Sequence, residues 1–393
     1  MSGPRMLEGV RVLDLSRVLA GPWCGQLLAD YGADVIKVER PGTGDDTRAW
    51  GPPWHGEGTN RVAAYYLSAN RGKRSIAVDI AAADGATLVR ELARHADVLL
   101  ENYKVGQLAR YGLDAASLMA LNPRLVYCSI TGFGQDGPMA ATAGYDFAIQ
   151  ATGGLMSITG EKDGTPGSEP QKVGVAVADL FTGMYATTAI LAALHERSRT
   201  GRGRHIDAAL LDAQVAMLAN QASNHLVGGV TPRRMGNAHV NIVPYQVFKT
   251  RDGHLVLATG NDAQFRRVCK LAGHAEVGTD PRYARNEDRI ARRDELVAMI
   301  ALWMGERTTA EWIALFEPES VPCAPILTVP QVFDHPQVRH RGMRIDVDGV
   351  PMVAAPMRVD GERPVADHRP PALDEHGQAI RAALASGKGW PAP

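Results

Sequence analysis

Apolar segments of the strand type alternate with helix-type segments along the chain, and this alternation constrains the fold more than any other feature. Segments 10–15 and 34–39 are rich in valine, isoleucine and leucine, and the stretch between them opens at Gly21-Pro22 and stops at Gly32, as a helix does. Further strands are predicted at 74–80, 97–101, 124–131 and 204–210. Strands separated by helices predict a parallel sheet covered on both faces, which is the α/β class.

The later part of the chain has a different pattern and predicts a second domain. A long helix is expected at 182–201 and another at about 211–228, and residues 244–260 predict a β-hairpin that turns at Arg251-Asp252-Gly253. Helices follow to about residue 316, and the end of the chain is rich in proline. We expect a large domain over 1–225, completed by 326–393, and a smaller α+β domain over 230–325.

The composition excludes several classes of protein. The 393 residues carry 42 basic and 43 acidic side chains, so no overall charge favours nucleic acid or an anionic membrane. The four cysteines are far apart, and no Cys/His pair has zinc-ligand spacing, so neither a disulfide nor a metal site is expected. We find no apolar leader and no run long enough to span a membrane, which predicts a cytoplasmic protein.

The common cofactor and nucleophile motifs of sheet-based enzymes do not occur. The turn after the first predicted strand, SRVLAGPWCG, lacks GxGxxG, and the chain has no GxxxxGK[ST], HExxH or GxSxG. Dinucleotide, P-loop, zincin and α/β-hydrolase sites are therefore not expected. No permanently bound cofactor is predicted.

Six segments, in order along nearly the whole chain, resemble family III CoA-transferases of the CaiB/BaiF type. They are VRVLDLSRVLAGPWCGQLLADYGADVIKVERPGTGD, NRGKRSIAVDI, DVLLENYKVG, LNPRLVYCSITGFGQDGP, KVGVAVADLFTGMYATTAILAAL and VPCAPILTVPQVFDHPQVRHRGM. One such segment would be weak evidence, whereas six in order are strong. The resemblance implies a Rossmann-like large domain and an interlocked homodimer. It also implies transfer of CoA from an acyl-CoA to a carboxylic acid.

The resemblance makes Asp179 the covalent nucleophile. Asp179 lies between the apolar run VGVAVA and a helix expected to begin near Leu180, where unpaired N–H groups and the helix dipole favour an ionised carboxylate. Such a carboxylate attacks the acyl-CoA to give a mixed anhydride, which the CoA thiolate converts to an aspartyl-CoA thioester before the acceptor acid takes the CoA. The alternative is that Asp179 only caps the helix.

CoA carries phosphates and an adenine, so its site needs cations, main-chain donors and flat apolar contacts. Arg40 ends the second predicted strand, at the edge where α/β sheets bind ligands, and Arg110 follows a later strand. The resemblance implies that the CoA path contains Val18, Leu19, Ala20, Arg40, Val78, Ile80, Asn102, Tyr103, Lys104, Arg110, Tyr145 and Asp146. The alternative is plain core for the apolar residues and surface ion pairs for the arginines.

The nearest alternative activity is that of a 2-methylacyl-CoA racemase, which shares this fold and CoA site. A racemase needs an acid and a base that flank the α-carbon. Its motifs carry a histidine where this chain has Tyr145 and a glutamate where it has Asp262. An ordinary tyrosine, with a pKa of about 10, is a poor base at neutral pH, so the sequence favours the transferase. A catalytically silent CoA-binding paralogue is a further alternative, against which the intact Asp179 argues.

Two departures from the family pattern concern the substrate. Formyl- and oxalyl-using members carry a polyglycine loop where this chain has GNAHVNIVPYQ, and Leu19 replaces a polar residue of those members. The hairpin VPYQVFKTRDGHLVLATGNDAQF is more similar to the branch that uses succinyl-CoA or other short dicarboxylic acids. The candidates to hold a second carboxylate are Arg233, Arg234, Asn237 and His239. The alternative for the two arginines is a solvated pair in a linker.

Overall fold

The computed structural model describes residues 3–58 and 61–392. The chain divides into two compact units, the first formed by Met1–Leu155, Val173–Gly229 and Pro336–Pro393, and the second by Met156–Lys172 and Val230–His335. These bounds differ from the expected ones at residues 156–172 and 326–335, which belong to the second unit. Within that unit, Asp163 forms an ion pair with Arg234, and Lys162 pairs with Asp294 at 2.9 Å.

The elements up to residue 229 are β1 (Arg11–Asp14), α1 (Ala20–Asp30), β2 (Asp34–Glu39), β3 (Trp54–His55), β4 (Val62–Ala63), α2 (Ala64–Leu67), β5 (Lys73–Ala77), α3 (Ala83–His95), β6 (Val98–Glu101), α4 (Ala115–Leu121), β7 (Val126–Thr131), α5 (Asp146–Thr152), α6 (Leu155–Ile158), α7 (Val177–Thr200), β8 (His205–Ala209), α8 (Leu210–Met217) and α9 (Ala219–Gly228). The second unit continues with β9 (Tyr245–Lys249), β10 (His254–Ala258), α10 (Asp262–Leu271), α11 (Ala275–Thr279), α12 (Asn286–Ala291), α13 (Arg293–Met304), α14 (Thr309–Phe316), β11 (Cys323–Pro325) and α15 (Val329–Asp334). The chain then ends with α16 (Pro336–His340), β12 (Arg344–Val347), β13 (Val350–Val353) and α17 (Gly377–Ala385). Short 3-10 helices lie at Asp46–Ala49, Leu108–Tyr111, Pro281–Tyr283 and Glu317–Glu319.

Six parallel strands form the central sheet of the first unit, in the order β5-β2-β1-β6-β7-β8. All six correspond to predicted strands, and the α/β class with a parallel sheet is confirmed. The chain adds β2 and β5 on one side of β1, and β6, β7 and β8 on the other. The direction of winding therefore reverses between β1 and β6, whose connections lead to α1 and α4 on opposite faces of the sheet. In α/β sheets, ligands commonly bind at the carboxyl ends of the strands at such a reversal.

Alternate residues of each strand pack on opposite faces of this sheet. Val12 and Leu100 belong to a core that includes Ile190 of α7, whereas Leu13 and Leu99 belong to a core that includes side chains of α3 and α4. Because helices cover both faces, successive side chains are buried. The strands therefore appear in the sequence as continuous apolar runs rather than as apolar–polar alternation.

Helix α7 packs against α1 and against the sheet. It begins at Val177, five residues before the start of the predicted segment 182–201. It is closed by the C-cap residue Gly201, which has a φ of +70° and donates its N–H to the Arg197 carbonyl. Among the described helices it alone has the length and apolar composition to cross a membrane, a test that the core helix of a soluble protein also passes. The early start puts Asp179 inside the first helical turn.

The second unit contains an antiparallel sheet of order β11-β10-β9 and the helices around it. The predicted hairpin is present as β9 and β10, and the Thr250 N–H donates to the Gly253 carbonyl at 2.9 Å across the turn. Its core contains Phe265, Trp312 and Phe316. The sequence analysis did not predict β11, because a three-residue strand that ends in proline has little strand signal.

Removing the side chain of Ile190 tests the packing of α7 on the sheet. Ile190 is fully buried in the first core. We expect Ile190→Ala to lower the free energy of unfolding by about 2–4 kcal/mol, because it leaves a cavity beside the sheet. Urea unfolding followed by circular dichroism measures the change. Ser117→Ala, at an exposed position of α4, is the control and should stay within about 0.5 kcal/mol of the wild type. Equal losses in both variants would contradict the assigned packing.

Candidate active site

A cavity of about 230 Å³ lies at the carboxyl ends of β1, β6 and β7, where the winding of the sheet reverses. Its walls are the loop after β1, the loop after β6, the end of β7 and the segment before α5. Asp179 of α7 contributes to the same wall. The predicted residues that line it are Val18, Leu19, Ala20, Asn102, Tyr103, Lys104, Tyr145 and Asp179.

The other predicted residues lie outside this cavity. Arg40, directly after β2, and Arg110, within the 3-10 helix Leu108–Tyr111, are both exposed. Val78 is buried in the core that includes α3, and Ile80 packs partly against the same core. Asp146 lies at the start of α5 and turns its carboxylate towards the first turn of α7.

Asp146, rather than Asp179, occupies the N-terminus of α7. Its Oδ1 accepts the N–H of Ala178 at 2.8 Å and lies 3.4 Å from the N–H of Asp179, while its Oδ2 accepts from Gln150 Nε2 at 2.7 Å. The N-cap residue is Ala176. The alternative of Asp179 as a simple helix cap is therefore wrong, because these donors already bind another carboxylate.

The environment of Asp179 favours its protonated form. Burial, followed by the neighbouring charge of Asp146, raises the pKa of Asp179 from 3.8 to about 7. Burial and the charge of Asp146 therefore oppose the ionised form that the helix N-terminus was expected to favour. Perturbed carboxyl groups in a cavity are typical of reacting groups.

Three residues close to this site were missed by the sequence analysis. Arg17 lines the cavity, and its guanidinium carbon lies 5.1 Å from the centre of the Tyr103 ring. Burial, followed by the charges of Asp179 and Asp146, raises the pKa of Tyr65. The Tyr65 ring packs edge-on against the Trp50 ring, with the two ring centroids 5.2 Å apart. The position of Arg17 just after the first predicted strand could have indicated that it belongs to the site. Tyr65 and Trp50 reach the site only through the tertiary fold.

A second cavity, of about 320 Å³, lies near the amino ends of β2 and β5. Most of its charged groups already have partners, as in the Arg74–Asp34 and Arg369–Glu375 pairs. It contains none of the predicted site residues. Among the described residues, no cluster of three or more His, Cys, Asp or Glu side chains could hold a metal ion.

Residues proposed for the second carboxylate and for racemase chemistry lie in the second unit. Arg234 pairs with Asp163, and Arg233 is exposed. His239 packs against the Tyr245 ring with the centroids 5.1 Å apart, and Asn237 is exposed. Asp262 accepts from Arg289 Nη2 at 2.7 Å, so its carboxylate is held by a buried guanidinium.

Similarity to known proteins extends over nearly the whole chain. The model of CoA-transferase family III matches residues 7–377. The chain belongs to this family. It is 51% identical over 386 residues to the succinate–glutarate CoA-transferase of Agrobacterium fabrum, covering 96% of this chain and 95% of the relative.

The chain is also similar to other family members over most of its length. The succinyl-CoA:glutarate CoA-transferase of Homo sapiens is 44% identical over 377 residues, with 95% of this chain and 84% of the human protein covered. The crystal structure of a CaiB/BaiF family protein from Brucella suis superimposes with a TM-score of 0.86 at 50% identity, covering 98% of this chain and 100% of that one. The prediction of a family III CoA-transferase is confirmed.

The raised pKa of Asp179 predicts how Asp179→Asn changes stability with pH. Below about pH 4 the carboxyl is protonated in both the folded and the unfolded chain. Between that pH and about 7 the unfolded chain ionises first, so the wild type loses stability as the pH rises. We expect Asp179→Asn to be more stable than the wild type by about 1–3 kcal/mol at pH 8 and no more stable at pH 4.

Urea midpoints measured at pH 4, 6 and 8 provide the test. Asp136→Asn, a change at an exposed aspartate, is the control and should show no such trend. A pH-independent difference between Asp179→Asn and the wild type would contradict the assigned environment.

Proposed function

We propose that this family III CoA-transferase moves CoA from succinyl-CoA to glutarate or a similar short dicarboxylic acid. The support from comparison is the set of relatives named for succinate, succinyl-CoA and glutarate, which match over nearly the whole chain. The structural observation that carries the proposal is the partly buried carboxyl of Asp179, which faces a cavity at the reversal point of a parallel sheet.

Asp179 acts as the covalent nucleophile in this proposal. A carboxylate oxygen of Asp179 bonds to the thioester carbon of succinyl-CoA, and the carbon–sulfur bond breaks to release the CoA thiolate. The thiolate then attacks the aspartyl carbonyl of the mixed anhydride, which releases succinate and forms an aspartyl-CoA thioester. The acceptor carboxylate repeats these steps in reverse, so that CoA leaves as the new thioester and Asp179 returns to its carboxylate.

The pKa of Asp179 suits a nucleophile that works near neutral pH. A carboxylate with a pKa of about 7 is more basic than an ordinary aspartate, and about half of the molecules hold it ionised at that pH. Asp146 keeps the first turn of α7 in place through the Ala178 N–H. The chemistry needs no group beyond the two substrates and the chain.

The CoA path begins in the cavity and continues over the surface. A ligand as large as CoA exceeds a cavity of about 230 Å³, so its nucleotide end extends outside. Val18, Leu19 and Ala20 supply apolar contact for the adenine, and Arg17 and Lys104 supply cations for the phosphates. Arg40 and Arg110 are exposed cations for the same groups, and Val78 and Ile80 support the path from behind.

A homodimer forms the working enzyme in this proposal, with the two chains interlocked. Apolar side chains that a second chain would cover are exposed on α7 and α9. Phe181, Met184 and Tyr185 lie on one face of α7, and Leu226 and Val227 near the end of α9 are 81% and 89% exposed. Exposed apolar residues grouped in this way are typical of subunit interfaces.

Trapping the intermediate tests the role of Asp179. The protein is incubated with succinyl-CoA and treated with hydroxylamine or borohydride, and the tryptic peptide that contains Asp179 is weighed. We expect hydroxamate formation or reduction at Asp179, because anhydride and thioester carbons react with these reagents whereas a free carboxylate does not. Asp179→Ala should show no modification and lose at least about 10³-fold in transfer rate.

The matched control is Asp136→Ala, which removes an exposed aspartate and should be trapped like the wild type. Absence of modification with several acyl-CoA donors would contradict the covalent mechanism. Exchange of the α-proton in deuterated water would then indicate a racemase, and binding of acyl-CoA without turnover would indicate a silent paralogue.

Charged substitutions on α9 test the homodimer. We expect light scattering after gel filtration to give twice the chain mass for the wild type. Leu226→Asp with Val227→Asp should give the single-chain mass and much lower activity, because buried carboxylates oppose the interface. Met6→Asp, at an exposed apolar residue of the N-terminal segment, is the control and should stay dimeric. A monomeric, fully active wild type would contradict the proposal.

A further inference from the structure

The loop that follows β1 forms one wall of the cavity and is held in a strained conformation. Val18 has a φ of +72°. This left-handed region is unfavourable for a β-branched residue, and Val18 is the only β-branched residue with a positive φ in the described ranges. Such a conformation persists only where the surroundings hold it.

Three side chains bind the backbone of this loop at successive residues. Lys37 Nζ donates to the Ser16 carbonyl at 2.7 Å. Asn102 accepts the Arg17 N–H at 2.9 Å and donates to the Arg17 carbonyl at 2.6 Å. The Val18 N–H lies 3.2 and 3.3 Å from the two carboxylate oxygens of Asp45.

Lys37 and Asp45 also form an ion pair with each other. Lys37 Nζ lies 2.9 Å from Asp45 Oδ2, and both side chains are completely buried. Asp45 accepts in addition from the N–H and the hydroxyl of Thr47, so it is fixed at the start of the 3-10 helix Asp46–Ala49. The pair thus connects the centre of β2 and this helix to the loop after β1.

Stability alone does not explain a buried pair of this kind. The cost of removing two charges from water commonly cancels their attraction, so an apolar pair of similar volume would hold the fold as well. An apolar pair could not bind the Ser16 carbonyl and the Val18 N–H, however. The distinctive consequence of the pair is therefore the conformation of residues 16–18.

We propose that Lys37 and Asp45 are positioning residues that hold the loop Ser16–Val18 in the shape that binds CoA, without touching the ligand themselves. This inference rests on the proposed function, because it assigns that loop to the CoA path. Without the Asp45 carboxylate, Val18 relaxes towards negative φ and moves Leu19 and Ala20 in the cavity wall. The acceptor acid, which meets the thioester end near Asp179, is affected much less.

The test compares two buried ion pairs in the same sheet domain. Asp45→Ala and Asp45→Asn are compared with Asp30→Ala. Asp30 forms an equally buried ion pair with Arg71, in which Arg71 Nη2 lies 2.7 Å from Asp30 Oδ2. This pair does not line the cavity beside Asp179. Calorimetric titration gives the Kd for free CoA, steady-state kinetics give kcat and both KM values, and thermal melts give stability. The wild type is measured first with CoA, succinyl-CoA and glutarate.

We expect Asp45→Ala to weaken CoA binding by about tenfold or more and to raise the KM for succinyl-CoA, with the KM for glutarate within about twofold of the wild type. Asp45→Asn keeps one acceptor oxygen for the Val18 N–H and should lose about threefold. Asp30→Ala should melt earlier than the wild type and keep its Kd.

Equal Kd values for CoA in the wild type and in Asp45→Asn would overturn the inference, as would equal losses of affinity in Asp45→Ala and Asp30→Ala. If Asp45→Ala does not fold, the comparison of Asp45→Asn with Asp30→Ala decides by the same criterion. A wild type that neither binds CoA nor transfers it would instead refute the proposed function, and the inference with it.

Discussion

The site depends on one topological constraint, the reversal of winding beside β1. Parallel strands need crossover helices, and these helices bury both faces of the sheet, so only the strand ends remain to bind ligands. The connections that follow β1 and β6 lead to helices on opposite faces of the sheet. The cavity lies at the carboxyl ends of these two strands and is lined by Val18 from one loop and Asn102 from the other.

Two aspartates near the cavity show how the same side chain acquires opposite properties. Burial alone would raise the pKa of Asp45, but the ion pair with Lys37 and the hydrogen bonds from Thr47 outweigh it and lower the pKa to about 2. Asp179 is also shielded from water, but its charged neighbour is Asp146, so its pKa rises to about 7. The first carboxylate is therefore ionised at neutral pH and suits the proposed positioning role. The second exchanges its proton near neutral pH and suits covalent chemistry.

The environment of Asp179 is unfavourable for the folded protein at neutral pH. A carboxylate that is poorly solvated and repelled by Asp146 lowers stability at that pH. In the proposed mechanism, the same features make the carboxylate more basic towards a thioester. The large apolar cores on both faces of the sheet offset this loss of folding stability.

The sequence by itself determined the α/β class, the six parallel strands, the β9–β10 hairpin and the family, because all of these depend on local apolar patterns or on contiguous motifs. It did not reveal that α7 begins at Val177, or that Asp146 binds its N-terminus from 33 positions before Asp179. Lys37, in the sequence only a charge within an apolar strand, is bound to Asp45 and to the Ser16 carbonyl. These features were decided by the tertiary structure, since pKa values and backbone strain depend on groups that are distant in sequence and meet only in the packed protein.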